Sequence, residues 1–216
     1  MVAKGLFVGK RARQEIQTTI AFLCTRVQKP TKEDWNKLCK MMKFVKATQD
    51  DCLILEYNGK KTIEWYVDAA FAVHNDFRSH TGATMTMGGG SITSFSTKQK
   101  LNTRSSTEAE LVAVDDAMSQ VLWSRSFLQH QGITDIEVIL FQDNKSAMIL
   151  QENGRMSTGK RSRHLNIRYF FVTDVIKKKL LKVMYCPTGD MIADFFTKPT
   201  QGGDFKKFRK LIQNKE

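Results

Sequence analysis

Four acidic residues stand in apolar surroundings, where a carboxylate is costly. Asp68 lies inside WYVDAAF, Glu110 in SSTEAELVAVDDA, Asp143 at the end of IEVILFQD and Asp194 in MIADFF. Asp is depleted in strands, and an acid among apolar neighbours costs free energy unless it is paired or metal-bound. An acid that closes a buried strand stands where edge residues reach a cleft. Carboxylate oxygens converging from several such segments suit Mg2+ or Mn2+ and not Zn2+. Two such ions about 4 Å apart can clamp the attacking and leaving oxygens of a phosphodiester displacement. Plainer readings stay open for three of the acids. Asp143 could cap the helix that follows it, Glu110 could face solvent, and Asp194 could cap or pair with a cation. Asp68 is the hardest to explain without a partner.

The elements that must position these acids show in the hydrophobic period. Residues 10–28 place Ile16, Ile20, Leu23 and Val27 at helical spacing up to Pro30. Thr31 and Asp34 read as a cap for a second helix with Trp35, Leu38, Met42 and Val45 on one face. The polar stretch ATQDD at 47–51 marks a boundary between a basic helical segment, 1–50, and a second unit, 51–216. In that unit CLILEY (52–57) and TIEWYVDAAFAV (62–73) read as strands joined through Asn58-Gly59. HTGATMTM (80–87) and SITSFST (91–97) are two more, joined by a flexible turn at Gly88-Gly89-Gly90; a phosphate loop would need a helix to follow. Residues 105–131 form the longest helical pattern, stopped by Gly132. A buried strand at 136–143, a short helix at 144–153, a basic loop, an amphipathic helix at 163–179 and a strand at 180–186 come next. Short helices at 191–198 and 203–213 close the order. The sum is an α/β chain with a mixed sheet and helices on it, unlike a pure βαβ alternation.

With 216 residues, 41% apolar and 10% aromatic, the chain can bury a real core as one large domain or one domain plus an appendage. Its formal charge of +12 is uneven: net +8 over 1–47, −6 over 48–153 and +8 over 154–182. Basic flanks suit a polyanion, and an acidic centre between them makes sense if cations neutralise it. No apolar run approaches the roughly 18 residues of a membrane span. The four apolar-run residues near the start fall short of the about 7–15 of a secretion signal, so an intracellular chain is expected. Cys24, Cys39, Cys52 and Cys186 have no zinc-ligand spacing and read as reduced packing residues.

Six motifs occur in one order across residues 63–213: YVDAAFAV, RSHTGATMTMGGGSITSFSTKQK, SSTEAELVAVDDA, FQDNKSAM, RSRHLNIRYFF and YCPTGDMIADFFTKP. Together they resemble the ribonuclease H domain of copia-type long-terminal-repeat retrotransposon Pol polyproteins. KRARQEIQTTIAFLCTRV and DWNKLCKMMKFVKAT resemble the segment that connects the reverse transcriptase polymerase to that domain. The resemblance implies a ribonuclease H-like fold, with a mixed five-stranded sheet flanked by helices and an N-terminal helical pair. It implies cleavage of the RNA strand of RNA–DNA hybrids with two Mg2+ ions, for which Mn2+ can substitute. Asp68, Glu110, Asp143 and Asp194 match the family's catalytic, metal-binding acids. Glu108 competes with Glu110, but Glu110 precedes a Leu-x-Ala step, as in the family, and shares a helix face with Val114 and Met118. Many cellular relatives carry a His in the loop before the last acid. CPTGDM has none, and His164 is a weak substitute.

Asp115-Asp116 lie in a helical pattern and read as helix-surface acids, unlike the twin-Asp hairpin of polymerases. For the nucleic acid, Lys98, Lys100, Arg104, Lys160, Arg161 and Arg163 are candidate phosphate contacts. Ser105 and Asn144 are candidate donors to 2′-hydroxyls, with local capping as the equal alternative. The expected partners are an RNA–DNA hybrid and a reverse transcriptase polymerase domain, with no membrane, in a cytoplasmic particle or the nucleus. Two other readings stand beside this one: an idle or domesticated fragment that only binds, and an integrase- or transposase-type relative acting on DNA ends.

Overall fold

The computed structural model describes residues 1–153 and 171–215. Lys160, Arg161, Arg163 and His164 lie outside the described residues. Three helices come first: α1 (Val2–Arg11), α2 (Gln17–Cys24, after a 3-10 turn at Gln14–Ile16) and α3 (Lys32–Ala47). The strands are β1 (Glu56–Tyr57), β2 (Thr62–Ala70), β3 (His80–Thr86), β4 (Gly88–Gly89), β5 (Thr93–Lys98), β6 (Glu137–Gln142) and β7 (Lys182–Tyr185). The remaining helices are α4 (Ser106–His130), α5 (Lys145–Asn153), α6 (171–177), α7 (Asp194–Thr197) and α8 (Gly202–Gln213).

Five strands form a mixed sheet in the order β5-β3-β2-β6-β7. β3 is antiparallel to both β2 and β5, whereas β6 runs parallel to β2 and β7 parallel to β6. The mixed five-stranded sheet expected from the motifs is therefore present. Alternation along β2 sends Ile63, Trp65, Val67 and Ala69 into one core, where Ala109, Ala113, Val114, Ala117, Met118 and Val121 of α4 meet them. Three of those six are alanines, so α4 lies close to the sheet. Trp65 brings its indole N–H to the Ser124 hydroxyl at 3.3 Å. The other parity of β2, with Glu64, Tyr66 and Asp68, looks to the opposite face.

That face is covered by α1, α2, α7 and α8. Gln14 donates to the Ser91 carbonyl at 2.8 Å and accepts from the Ser91 and Ser94 hydroxyls. Gln17 donates to Ser94, and Thr18 to the Phe195 carbonyl at 2.6 Å. Each of these side chains is buried. At the end of β3, Phe22 stacks on both His74 and His80, whose ring nitrogens are 3.0 Å apart. The N-terminal helices thus form part of the second layer on the sheet.

Three local expectations change. The single helix over 10–28 is two helices, broken at Ala12–Arg13. α1 escaped notice because Gly5 and Gly9 depress helix propensity. Those glycines give α1 a flat side, and a Cβ on Gly5 would lie 2.5 Å from Ile20. α3 buries Leu38 and Met41 and leaves Trp35 and Met42 exposed, so its apolar face is turned by about a residue; its Thr31–Asp34 capping box forms as expected. CLILEY is a strand only at Glu56–Tyr57, and it pairs with Gly88–Gly89 and not with β2. The glycine run is therefore a slot and not merely a flexible turn: a Cβ on Gly88, at φ +142°, would lie 2.3 Å from the Glu56 carbonyl oxygen. Among the described residues the other expected elements hold to within a few residues, α4 within one residue at each end; the expected basic loop and the first part of the expected 163–179 helix lie outside the described residues.

Candidate active site

Three of the four acids converge. Asp68, Glu110 and Asp143 each bring a carboxylate oxygen to one spot, all within 4.8 Å of one another. They arrive from the end of β2, the N-terminal part of α4 and the residue after β6. The sheet order makes this possible, because β2 and β6 are parallel neighbours and end at the same edge.

Local hydrogen bonding resolves the competing readings. Ser105 caps α4 by accepting from the Glu108 N–H at 3.1 Å, and the Glu108 carboxylate accepts from the Arg104 N–H at 2.6 Å. Glu108 is thus occupied at the helix start, and Glu110 turns inward. Asn144, not Asp143, takes the helix-start role on α5, accepting from the Ala147 N–H at 3.0 Å. Asp143 is free to face the cleft and accepts from the Thr188 hydroxyl at 2.9 Å. Asp68, only 1% exposed, accepts from the Thr197 hydroxyl.

Asp194 stands apart from the group of three. It opens α7 beside Asp68, and its carboxylate accepts from the Lys198 ammonium at 2.7 Å. The Lys198 nitrogen is also 3.7 Å from Asp68. Gly82 lets α7 approach this closely. It faces Asp68 across β2 and β3, and a Cβ there would lie 2.8 Å from the Phe196 backbone.

The electrostatics follow from burial and crowding. Burial first, then the charges of Asp68 and Asp143, push Glu110 well above the usual carboxylate range, while a hydrogen bond from Ala69 opposes this. Burial, with Asp68 next, pushes Asp194 up to about 7, against the pull of Lys198. For Lys198, burial alone would favour the neutral amine, but Asp68, Asp194 and Asp143 outweigh it and raise its pKa. The nearby Cys186 is pushed up to about 11, by burial above all, and stays a thiol.

One oxygen of Glu110 is buried with no hydrogen-bond partner. A carboxylate oxygen orphaned beside two others, with no imidazole or thiolate in the set, is what a hard divalent cation fits. Asp68, Glu110 and Asp143 would hold it.

The remaining site residues expected from sequence divide. Ser105 and Asn144 both act as helix caps, and Asn144 also lines the cleft. Lys98 is paired with Asp76 at 2.7 Å. Lys98, Lys100 and Arg104 do not line the acidic cleft. Asp116 accepts from Thr81 at 3.1 Å, and neither it nor Asp115 belongs to the acid group. Sequence reasoning passed over Lys145, Tyr185, Thr197 and Lys198. Lys145 and Tyr185 line the cleft as a pair, the ammonium 4.6 Å from the ring centroid. For Thr197 and Lys198 a signal was available: they stand three and four residues after Asp194 and share its helix face.

With this geometry in view, the comparisons bear on the family resemblance. The chain is 29% identical over 202 residues to the retrovirus-related Pol polyprotein from transposon TNT 1-94 of Nicotiana tabacum, covering 93% of this chain and 15% of that protein. The Pol polyprotein from transposon RE2 of Arabidopsis thaliana is also 29% identical, with 93% and 14% covered. The homologues of this chain are retrovirus-related Pol polyproteins. The Ty1-ER2 Gag-Pol polyprotein of Saccharomyces cerevisiae is 26% identical over the full chain and 12% of its own length. The chain thus spans about a seventh or less of the length of each of these three polyproteins. No protein-family model matches it. Among solved structures, the LC11-RNase H1 complex with an RNA/DNA hybrid has a TM-score of 0.45 at 15% identity, covering 62% of this chain and 92% of that one. The strand order and directions described above agree with the mixed five-stranded sheet expected from the sequence motifs. Among the described residues, no helix is long and apolar enough to cross a membrane.

Proposed function

We propose that this chain hydrolyses the RNA strand of RNA–DNA hybrids with divalent metal ions, as the ribonuclease H part of a retrotransposon Pol polyprotein. The observation that carries the reading is the convergence of Asp68, Glu110 and Asp143 around a buried, unpartnered Glu110 oxygen at the mouth of an open cleft. Asp194 is the candidate fourth acid, beside Asp68. Two bound Mg2+ ions would lower the pKa of an attacking water and stabilise the departing 3′ oxygen, with Mn2+ as a substitute.

The chain's own residues prepare for that chemistry. The Thr197 hydroxyl fixes one oxygen of Asp68, and the Thr188 hydroxyl fixes one of Asp143. Burial holds the Glu110 carboxyl in place beside them. Lys145 offers a cation for a phosphate, and Tyr185 offers a ring face to a sugar or base on the cleft wall. Asn144 stands beside them as a candidate 2′-hydroxyl contact. Residues 1–50 would be the connection to a polymerase domain in the longer protein.

The test incubates the chain with an end-labelled hybrid, with Mg2+ and then with EDTA, beside the Asp68→Asn variant. The wild type should cut the RNA strand only with Mg2+, and the variant should bind the hybrid without cutting. Retained Mg2+-dependent cleavage by Asp68→Asn refutes the assignment. Cleavage of DNA ends in preference to the hybrid would favour the integrase-type reading.

A further inference from the structure

Two lysines line the acidic cleft, and they look in different directions. Lys145 lies over the Tyr185 ring. Lys198 points at the acids, 2.7 Å from Asp194 and 3.7 Å from Asp68. It immediately follows α7, a four-residue helix pinned in place from both sides. Thr18 of α2 donates to the Phe195 carbonyl, and the absent side chain of Gly82 lets Phe196 and Thr197 lie against β3. Thr197 and Lys198 both approach the same oxygen of Asp68, Oδ2. The Lys198 stem stays half in water, with 44% of the side chain exposed, whereas Asp68 is 1% exposed and Asp194 11%. The ammonium therefore has somewhere to go, and the two carboxylates do not.

We propose that Lys198 is a resident counter-ion of the site: it neutralises Asp68 and Asp194 while no metal is held, and swings out toward solvent when divalent cation enters. The inference rests on the metal-dependent reading above. The physical need is plain. Buried carboxylates this close repel one another, and a cation must stand among them or they protonate. A lysine on a flexible four-carbon stem is suited to a reversible role, because it is a compact charge that makes no fixed bidentate grip. The consequence is competition. Part of the free energy of metal binding is spent on displacing Lys198, so Lys198 sets how much metal the site requires and how well the site tolerates its absence.

The test uses the full chain and MgCl2 alone, with no nucleic acid. Lys198→Gln should unfold at a lower temperature than the wild type in EDTA. In a titration followed by calorimetry or thermal shift it should reach half-saturation at about tenfold lower Mg2+, since one unit positive charge a few ångströms from the ion is removed. Lys198→Arg, which keeps the charge, should stay near the wild type. A readout without substitution guards against a variant that does not fold. Lys198 of the wild type should be acetylated by an amine-reactive ester several-fold faster in Mg2+ than in EDTA, as read by peptide mass spectrometry.

Unchanged Mg2+ affinity in Lys198→Gln, or Lys198 reactivity indifferent to Mg2+, overturns the proposal. So does a Lys198→Gln variant whose only defect is a raised KM for the hybrid, which would make Lys198 a phosphate contact. A wild-type chain that takes up no Mg2+ at all would instead sink the metal-dependent reading beneath it.

Discussion

Gly82→Ala should damage the site through the helix that lies on it. The added Cβ would stand 2.8 Å from the Phe196 carbonyl carbon and 2.6 Å from Thr197 Cγ2. Carbon atoms prefer about 3.5–4.0 Å, so α7 must retreat by about 0.7 Å or more. The Phe196 contact is backbone, and no rotamer change relieves it. Overpacking of this kind costs about 1–3 kcal/mol. For a chain of this size that lowers Tm by roughly 2–4 °C per kcal/mol. The functional loss should be larger, because α7 brings Asp194, Thr197 and Lys198 to Asp68. A displacement near 1 Å in a catalytic constellation can cost on the order of a hundredfold in rate. The assay pairs thermal unfolding with hybrid cleavage at a temperature well below either midpoint. Cleavage should fall at least tenfold while hybrid affinity holds. Gly189→Ala, with no atom within 4 Å of its Cβ position, is the control. If Gly82→Ala cuts and melts like the wild type, the idea that α7 needs this approach to complete the site is wrong.

Three further outcomes are expected. Thr197→Val removes the donor to Asp68 at nearly constant shape, so kcat should drop by about tenfold or more with KM for the hybrid unchanged, and Thr197→Ser should recover most of it. In EDTA, stability should fall as pH rises from about 5 to 8: Asp194, raised to about 7 chiefly by burial, binds more proton folded than unfolded, and Glu110 acts in the same direction. Saturating Mg2+ should flatten that slope in chemical denaturation, and a rising EDTA curve over this window would contradict the assignment. His80, pushed down to about 3 chiefly by burial, stays neutral when folded, so its share of stability is complete above about pH 6.5 and is lost below it. His80→Asn should lessen the acid sensitivity between pH 6.5 and 4 in the same denaturation measurement.

The sheet was legible because its signals are local and redundant. TIEWYVDAA alternates, IEVILFQ is a short buried run, and SSTEAELVAVDDAMSQ carries both a cap and a continuous apolar side. Asp68 was legible for a related reason, since an acid in such a strand contradicts its neighbours and demands a partner. Choosing Glu110 over Glu108 needed the helix phase, and the bond that the Arg104 N–H donates to the Glu108 carboxylate is the physical counterpart of that choice. What stayed hidden depends on contacts far apart in sequence. α1 carries two glycines and looks weak until α2 is laid against them. CLILEY has strand propensity throughout, but only two of its residues find a strand to pair with, because the edge on offer is the glycine run. Lys198 looked like one more surface cation. Only the approach of α7 to β3, across more than a hundred residues of chain, brings it to Asp68.

The buried amide and hydroxyl contacts between the first helices and the sheet have a consequence for how such a chain can be divided. Composition places a seam at ATQDD, but severing there would strip Ser91 and Ser94 of Gln14 and Gln17, and the Phe195 carbonyl of Thr18. Those groups were built to be dry, and water could reach them only by prising open the layer that steadies α7. A chain trimmed to begin at the acidic half would therefore keep its three converging carboxylates yet lose the brace behind Asp194. Excision of this unit from any longer precursor must spare the basic helices if the acidic site is to stay braced.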